Sequence, residues 1–225
     1  MFPTHPGQSR AVLPLLAFSL FGCCAIPMLL MGPHDGGGPD HGNAQQAPQA
    51  AVPQFKGDPY LLDTDPVSGK SLGPIDAQVV IELDGREFRF SSQENAELFK
   101  AESAQYLPAV DAKLIEQQKP FYPLDTCLVS GEKLGGEMGG PIDFVYRNRL
   151  LRFCCKECQP EFLKDPAKFV AKLDQAVIAK QAAAYPATAC VVSGEKLGGD
   201  MGPAVDVVVG NRLIRFCCTD CQKDF

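Results

Sequence analysis

The sequence contains no tryptophan and only five tyrosines among its 225 residues, so aromatic platforms for stacking bases or sugars are not expected. It has no long basic run, and its formal net charge of −6 argues against a nucleic-acid partner. All three histidines lie within the first 41 residues, and the chain shows no nucleophile–base pair, phosphate-binding loop or carboxylate dyad. We therefore predict that the protein is not an enzyme.

Cysteine, in contrast, is abundant, with ten residues in the chain. Two of them, Cys23 and Cys24, lie in an apolar N-terminal segment. The other eight form two groups of four, at Cys127, Cys154, Cys155 and Cys158, and at Cys190, Cys217, Cys218 and Cys221. An even number of cysteines in an exported protein first suggests disulfides, but the spacing of these groups also suits a metal.

The first 31 residues predict a signal peptide or a membrane anchor, because residues 11–31 are almost wholly apolar and follow Arg10. The stretch Leu20-Phe21-Gly22-Cys23 resembles a bacterial lipobox, which makes Cys23 a candidate for lipidation. Lipid attachment, an uncleaved helical anchor and simple cleavage all remain open. Each places the remainder outside the cytoplasm, in the periplasm or cell envelope, with tethering to the membrane in the first two cases. Residues 32–56, rich in Gly, Pro, Gln and Ala, predict a flexible linker.

The rest of the chain is an internal repeat. Residues 126–139 recur almost unchanged at 189–202, and residues 148–159 recur at 211–222. The offset is 63 residues, and the four cysteines of each copy keep the same internal spacing. We name the copies unit 2 (121–180) and unit 3 (181–225). Because Phe225 corresponds to Phe162, the later helical turns of unit 2 have no counterpart in unit 3. Either the chain is a fragment, which we favour, or unit 3 has a truncated helix that packs poorly.

A weaker copy, unit 1 (57–120), precedes these two. The residues at its four cysteine positions are Asp65, Ser91, Ser92 and Asn95. Its glycine-rich loop is also shorter. The loop and the cysteines are lost together, which indicates that they form one site, and we interpret unit 1 as a metal-free structural relic.

Each unit has the order turn, β-hairpin, helix, which predicts an α+β fold. The hairpin tips are expected at Asp84-Gly85 in unit 1 and at Gly210-Asn211 in unit 3. In unit 1, Ser91-x-x-Glu94 resembles a capping box that opens a helix. The helix of unit 2 is expected to begin near Cys158, with residues 179–188 linking to unit 3. The arginine pairs Arg149 with Arg152 and Arg212 with Arg215 are expected on the outward face of the strand, in preference to binding an anion.

The cysteines of units 2 and 3 are candidate metal ligands. A unit of about 60 residues has little room for a core and often needs a metal or disulfides. Cys127 lies at a turn, while Cys154, Cys155 and Cys158 surround the junction between strand and helix, where a helix N-terminus favours thiolates. Three or four sulfurs could then surround Zn²⁺ or Cu⁺. Disulfides within each group, and thiol–disulfide exchange at the two Cys-x-x-Cys segments, remain as alternatives.

Two segments carry a resemblance to known families. Asp65-Pro66-Val67-Ser68-Gly69 and Phe153-Cys154-Cys155-Lys156-Glu157-Cys158, followed by Phe162, Pro166 and Phe169, resemble the YHS and TRASH heavy-metal-associated domains. The resemblance implies tandem treble-clef-like units and a role in sensing, trafficking or resisting heavy metals. It carries over as ligands Cys127, Cys154 and Cys158, with Cys190, Cys217 and Cys221. Cys155 and Cys218 replace a usual serine and add a fourth ligand to each set.

The sequence therefore predicts an extracytoplasmic protein that holds Zn²⁺ or Cu⁺ in thiolate sites for capture, trafficking or resistance. Its expected partners are metal ions, the membrane through the N-terminal anchor, and a further protein. A scaffold with purely structural zinc and a disulfide-stapled exported protein without metal are the alternatives.

Overall fold

The computed structural model describes residues 56–137 and 139–225. The predicted export segment with Cys23, and residues 32–55 of the predicted linker, lie outside this part of the chain. Among the described residues, no helix combines the length and apolar character that crossing a membrane requires.

Three two-stranded antiparallel hairpins form the β part of the fold. Their strands are β1 (Val79–Leu83) with β2 (Arg86–Phe90), β3 (Ile142–Tyr146) with β4 (Arg149–Phe153), and β5 (Val205–Val209) with β6 (Arg212–Phe216). Two residues close each hairpin, and both have positive φ, as a type I′ turn requires. The predicted tips are confirmed, since φ is 52° at Asp84 and 71° at Gly85, and 55° at Gly210 and 61° at Asn211.

The helices follow the hairpins and confirm the α+β prediction. They are α1 (Gln93–Gln118), α2 (Cys158–Lys164), α3 (Pro166–Gln181) and α4 (Thr219–Asp224). Glu102 interrupts α1 with φ −128° and ψ 32°, and Asp165 separates α2 from α3 exactly one repeat further on. The long α1 of unit 1 therefore corresponds to both α2 and α3 of unit 2, joined into one helix with an interruption at Glu102. Short 3-10 turns occur at Ile75–Ala77, Lys119–Phe121 and Ala182–Ala184.

Of the predictions about where the helices begin and end, the structure confirms one and corrects two. The helix of unit 2 begins at Cys158 as expected, but α3 continues to Gln181, so the link to unit 3 starts later than predicted. The predicted cap of α1 was wrong by one residue. The N-cap is Ser92, whose Oγ accepts the Asn95 N–H at 3.2 Å, because the Ser91 hydroxyl is used elsewhere.

Apolar side chains of each hairpin bury against the helix that follows. In β2 the side chains of Phe88 and Phe90 point to the same face, as alternation requires, and both are fully buried. Their rings lie 4.7 and 5.2 Å from the ring centre of Phe99 on α1. Phe153 and Phe162 form the equivalent contact in unit 2, with ring centres 5.9 Å apart.

Adjacent units are joined by a repeated hydrogen-bonded contact from helix to hairpin. The side-chain amide of Gln118 donates to the Asn148 carbonyl at 2.7 Å, and its oxygen accepts the Leu150 N–H at 2.8 Å. Gln181 makes the same pair of bonds to unit 3, to the Asn211 carbonyl and from the Leu213 N–H, each 2.9 Å long. The units therefore stack as neighbours in a short repeat array.

Arg149 is fully buried, so the prediction that it faces outward was wrong. Its guanidinium donates to both Asp58 oxygens, at 2.5 and 2.8 Å, to Asp174 Oδ1 at 2.7 Å and to the Val208 carbonyl at 2.7 Å. Burial acts to lower the pKa of Arg149, but the bonds and charge of Asp58, with those of Asp174, outweigh it and raise the pKa. Asp58 also accepts the Gly210 N–H at 2.7 Å, so one buried ion pair links all three units.

Candidate metal centre

A tight loop presents the first cysteine of each site. The Cys127 N–H donates to the Glu132 carbonyl at 2.6 Å, and the Cys127 carbonyl accepts the Gly131 N–H at 3.0 Å. Gly131 has φ 80°, a conformation that glycine adopts without strain. The same two bonds recur around Cys190. The loop reverses the chain and directs the thiol toward the end of the hairpin.

Two triads of buried cysteines form where these loops meet the junctions between strand and helix. Cys154 follows β4 directly, and Cys158 is the first residue of α2. The members of the triads are Cys127, Cys154 and Cys158, and Cys190, Cys217 and Cys221. In each triad the three sulfurs lie within 4.8 Å of one another, and every member is buried. These two triads could each hold a metal ion.

The distances between sulfurs fit the requirements of a thiolate site. Four sulfurs at the usual zinc–sulfur distance of about 2.3 Å stand about 3.8 Å apart when they form a tetrahedron. The Sγ atoms of Cys154 and Cys158 are 3.8 Å apart, and those of Cys217 and Cys221 are 3.7 Å apart. The donor set, entirely sulfur, suits a soft or borderline ion.

Cys155 and Cys218 lie at the edge of the triads, and both are half-buried. The sulfur of Cys155 is 3.5 Å from that of Cys158 and 3.9 Å from that of Cys154. The sulfur of Cys218 is 3.9 Å from that of Cys217. All eight cysteines predicted as ligands are thus gathered into two clusters, with three in each triad and the fourth beside it.

The loop cysteine of each site has a lowered pKa. Burial acts to raise the pKa of Cys127, but hydrogen bonds from the hydroxyl and N–H of Ser130 and from the N–H groups of Cys154 and Val129 outweigh it, lowering the pKa to about 6. In unit 3 the Ser193 N–H is the largest influence, and the pKa of Cys190 is likewise lowered to about 6. Each loop cysteine is therefore a thiolate near neutral pH before any cation arrives.

Two of the thiols at the helices, those of Cys158 and Cys221, behave differently from the expectation that a helix N-terminus favours the ionised form, whereas hydrogen bonds from the N–H groups of Cys221 and Asp220 lower the pKa of Cys218 as expected. Burial, together with hydrogen bonds that the thiol donates to Cys155 and Cys127, raises the pKa of Cys158. For Cys221 the Ser193 hydrogen bond lowers the pKa, but burial and the neighbouring thiols outweigh it and raise the pKa to about 12. These thiols would lose their protons only when a cation binds.

Unit 1 places a carboxylate where units 2 and 3 have their loop cysteine. Asp65 Oδ2 accepts the N–H and the hydroxyl of Ser91, both at 2.8 Å, and the side-chain amide of Asn95 at 2.9 Å. Its Oδ1 accepts the N–H groups of Val67 and Ser68 at 2.8 and 2.9 Å. The residues at the three triad positions are therefore joined by hydrogen bonds instead of by a shared ion.

Sequence reasoning missed the serines beside the triads. The Oγ of Ser130 lies 3.3 Å from the sulfur of Cys154, and the Oγ of Ser193 lies 3.3 Å from that of Cys217. The Ser-Gly pair in all three units was the available signal, but it was assigned to the turn alone. These hydroxyls also belong to the network around the triads, where they lower the pKa of the loop thiols.

No protein-family model, curated protein or solved structure matches this chain. The YHS and TRASH resemblance therefore stays a prediction from the motifs. The function has to be argued from the geometry of the two triads.

Proposed function

We propose that this protein holds Zn²⁺ or Cu⁺ in the cysteine sites of units 2 and 3, and that it captures, transports or detoxifies heavy metal outside the cytoplasm. The observation that carries the proposal is the repeated triad of buried sulfurs, all within 4.8 Å of one another. Membership of the YHS or TRASH group, and a tether through the N-terminal segment or Cys23, belong to the same proposal. Catalysis has no part in it.

The mutual closeness of three sulfurs supports an ion more than a disulfide. A disulfide within a triad would join two of the sulfurs and leave a third thiol buried beside it. An ion uses all three, and the described cysteines are free thiols. Cys127 and Cys190 supply a thiolate at neutral pH because their pKa values are lowered to about 6, while Cys158 and Cys221, whose pKa values are raised, release protons as the ion binds.

The two candidate metals differ in whether they need a fourth sulfur from Cys155 or Cys218, the cysteines at the edge of the triads. Zn²⁺ in a closed site takes four ligands, and Cys155 or Cys218 is the nearest further sulfur to each triad. Cu⁺ is satisfied by soft thiolates and does not require a tetrahedral set. Because Cys155 and Cys218 are half-buried, they are also the sulfurs that another metal carrier could reach first.

The direct test is the metal content of the full chain, purified without added reductant. Elemental mass spectrometry should find two metal equivalents per chain, and the eight cysteines of units 2 and 3 should titrate as thiols in denaturant without reductant. Cys158→Ser should remove one equivalent, and Cys158→Ser with Cys221→Ser should remove both. A chain that carries no metal and no free thiols in these units would overturn the proposal.

The same preparation separates capture from a purely structural zinc. We expect a chelator to remove the metal within minutes if the half-buried edge cysteines give access to it. Cys155→Ser with Cys218→Ser should weaken Zn²⁺ binding more than Cu⁺ binding. Retention of zinc for hours in excess chelator would favour the scaffold alternative.

A further inference from the structure

Helix α3 belongs to two cores at once, and its first half packs on the site of unit 2. Val170 and Leu173 are buried in one cluster with the three cysteines of the unit 2 triad. Between them, Lys172 donates to the carbonyl of Leu128, the residue directly after the loop cysteine, at 3.1 Å. The first half of α3 is therefore held by the same loop and junction that present the sulfurs of unit 2.

The second half of α3 packs on the hairpin of unit 3. Val177 is fully buried and shares a cluster with Val208 of β5 and Leu213 of β6. At the end of the helix, the side chain of Gln181 donates to the Asn211 carbonyl and accepts the Leu213 N–H, each at 2.9 Å. Unit 3 therefore takes part of its core from a helix that unit 2 supplies.

The hairpin of unit 3 has α3 on one face and its own triad on the other. Neighbouring side chains in a strand point to opposite faces of the sheet. In β6, Leu213 faces α3, whereas Ile214 and Phe216 pack in the cluster that contains the unit 3 triad. In β5, Val208 faces α3 and Val207 faces the triad. Only the thickness of this hairpin therefore separates α3 from the cysteines of unit 3.

The hairpin of unit 2 rests on a helix of a different kind. That helix is α1, which contributes Leu114 beside Val145 and the two hydrogen bonds of Gln118. Contacts within unit 1 hold α1, such as the ion pair of Asp111 with Arg86 at 2.6 Å. The carboxylate that replaces a triad in unit 1 accepts its hydrogen bonds from the same unit. The support of unit 2 is therefore independent of metal, whereas the support of unit 3 is a helix that packs on a metal site.

We propose that the two metal sites, which rest on the function proposed above, are coupled through α3. An ion in the triad of unit 2 orders this helix and so raises the affinity of the unit 3 triad by a factor of about 10–100, within the usual range of coupling between sites. The site of unit 2 fills first, because α1 is in place before any ion binds. Linkage makes the coupling reciprocal, so an ion in unit 3 raises the affinity of unit 2 by the same factor. The element whose folding both sites favour is α3.

The probe is Zn²⁺, added to the full chain in competition with a chromophoric chelator of known zinc affinity. Cys221→Ser reports the binding constant of unit 2 while the site of unit 3 is empty, and Cys158→Ser reports the reverse. For independent sites, the overall constant for two ions in the native chain equals the product of these two constants. We expect it to exceed the product by a factor of about 10–100, and we expect Cys221→Ser to bind Zn²⁺ more tightly than Cys158→Ser does.

Gln181→Ala separates the coupling from the sites themselves, because it removes two hydrogen bonds between α3 and unit 3 but no thiol. Introduced into the native and both single-site chains, it should lower the coupling factor about threefold to tenfold. Gln117→Ala on α1 is the matched control. The amide of Gln117 donates to the Leu61 carbonyl at 3.1 Å within unit 1, so its loss should leave the factor unchanged.

Amide exchange provides a second readout that needs no binding constant. With both chains saturated in Zn²⁺, β5–β6 should exchange about tenfold faster in Cys158→Ser than in the native chain, because α3 has lost its support in unit 2. Equal exchange in the two chains, an overall constant equal to the product, or a factor that Gln181→Ala leaves unchanged would overturn the coupling through α3 while metal capture stands. A native chain that binds no Zn²⁺ would overturn the proposed function and the coupling with it.

Discussion

Unit 1 and unit 2 close the same loop against the same junction of strand and helix, but they use different chemistry. In unit 2 the loop thiol of Cys127 faces the thiols of Cys154 and Cys158. In unit 1 the carboxylate of Asp65 faces Ser91 and Asn95 and makes three hydrogen bonds to them. The comparison shows that hydrogen bonds to a carboxylate join the elements of unit 1 at the place where an ion could join those of units 2 and 3.

The two kinds of link differ in what they depend on. Asp65 is 1% exposed, and five donors surround its two oxygens, so the charge is compensated inside the unit itself. In the triads the internal acceptor is the loop thiolate of Cys127 or Cys190, and the neighbouring thiols bond only weakly to it. In our proposal the structure of units 2 and 3 depends on a ligand, whereas that of unit 1 does not.

The largest expected effect comes from removing metal. Thiolate-bound zinc can contribute on the order of 10 kcal/mol to the folding of a small unit. We therefore expect chelator with reductant to abolish amide-exchange protection in β3–β4 and β5–β6, while β1–β2 and the first half of α1 stay protected. Exchange measured by mass spectrometry on the full chain resolves the three hairpins.

Cys158→Ser provides the matched single-site version of that experiment. It should remove protection in unit 2 without added chelator and leave the β1–β2 hairpin protected. Equal loss of protection in all three hairpins would mean that unit 1 does not fold independently of the metal sites. The distinction between the units would then be wrong.

A smaller loss of stability is expected when the link in unit 1 is removed by Asp65→Ala. It leaves several buried donors without an acceptor, at about 1–3 kcal/mol each for those that water cannot reach, and we expect a total loss of about 3–5 kcal/mol. The loss should appear as faster exchange in β1–β2, and metal should not restore protection. Asp76→Ala, at an exposed carboxylate of the same unit, should have no measurable effect.

The smallest expected effect is the loss of stability of unit 1 at low pH. Burial acts to raise the pKa of Asp65, but hydrogen bonds from the N–H groups of Ser68 and Ser91, with those of Asn95 and the Ser91 hydroxyl, outweigh it and lower the pKa from 3.8 to about 2. A lowered pKa means that the carboxylate stabilises the fold above about pH 4 and that this contribution is lost as pH falls toward 2. Protection factors of β1–β2 should decline over that interval in the native chain. Asp65→Asn should flatten this decline, and an unchanged slope would assign it to another group.

Much of the fold could be predicted because the repeat can be recognised directly in the amino-acid sequence. The cysteine spacing, the two-residue hairpin tips and the α+β order of each unit all depend on local sequence. The same reasoning failed at Ser91 and Arg149, whose partners come from distant positions. Asp65 lies 26 residues from Ser91, and Asp58 lies 91 residues from Arg149, so neither pairing leaves a local pattern.

Part of what was missed did leave a signal. Asp111 and Asp174, and Gln118 and Gln181, are each separated by the repeat length of 63 residues, which marks them as members of a repeated contact. Their role could not be inferred, because periodicity shows that a residue recurs and not which surface it faces. The contacts from helix to hairpin make that role visible.

By itself the sequence determined that this protein has three related units, that two of them carry four cysteines at identical spacing, and that the first has lost them. Tertiary structure alone decided which three sulfurs of each group come within 4.8 Å, and that a carboxylate replaces them in unit 1. It also decided that Arg149 is buried while Arg212 is exposed, although each is the first residue of the second strand of its hairpin. The physical reason is that burial depends on what packs against a residue, and Arg149 is enclosed by Asp58, by Asp174 of α3 and by the Val208 carbonyl of unit 3.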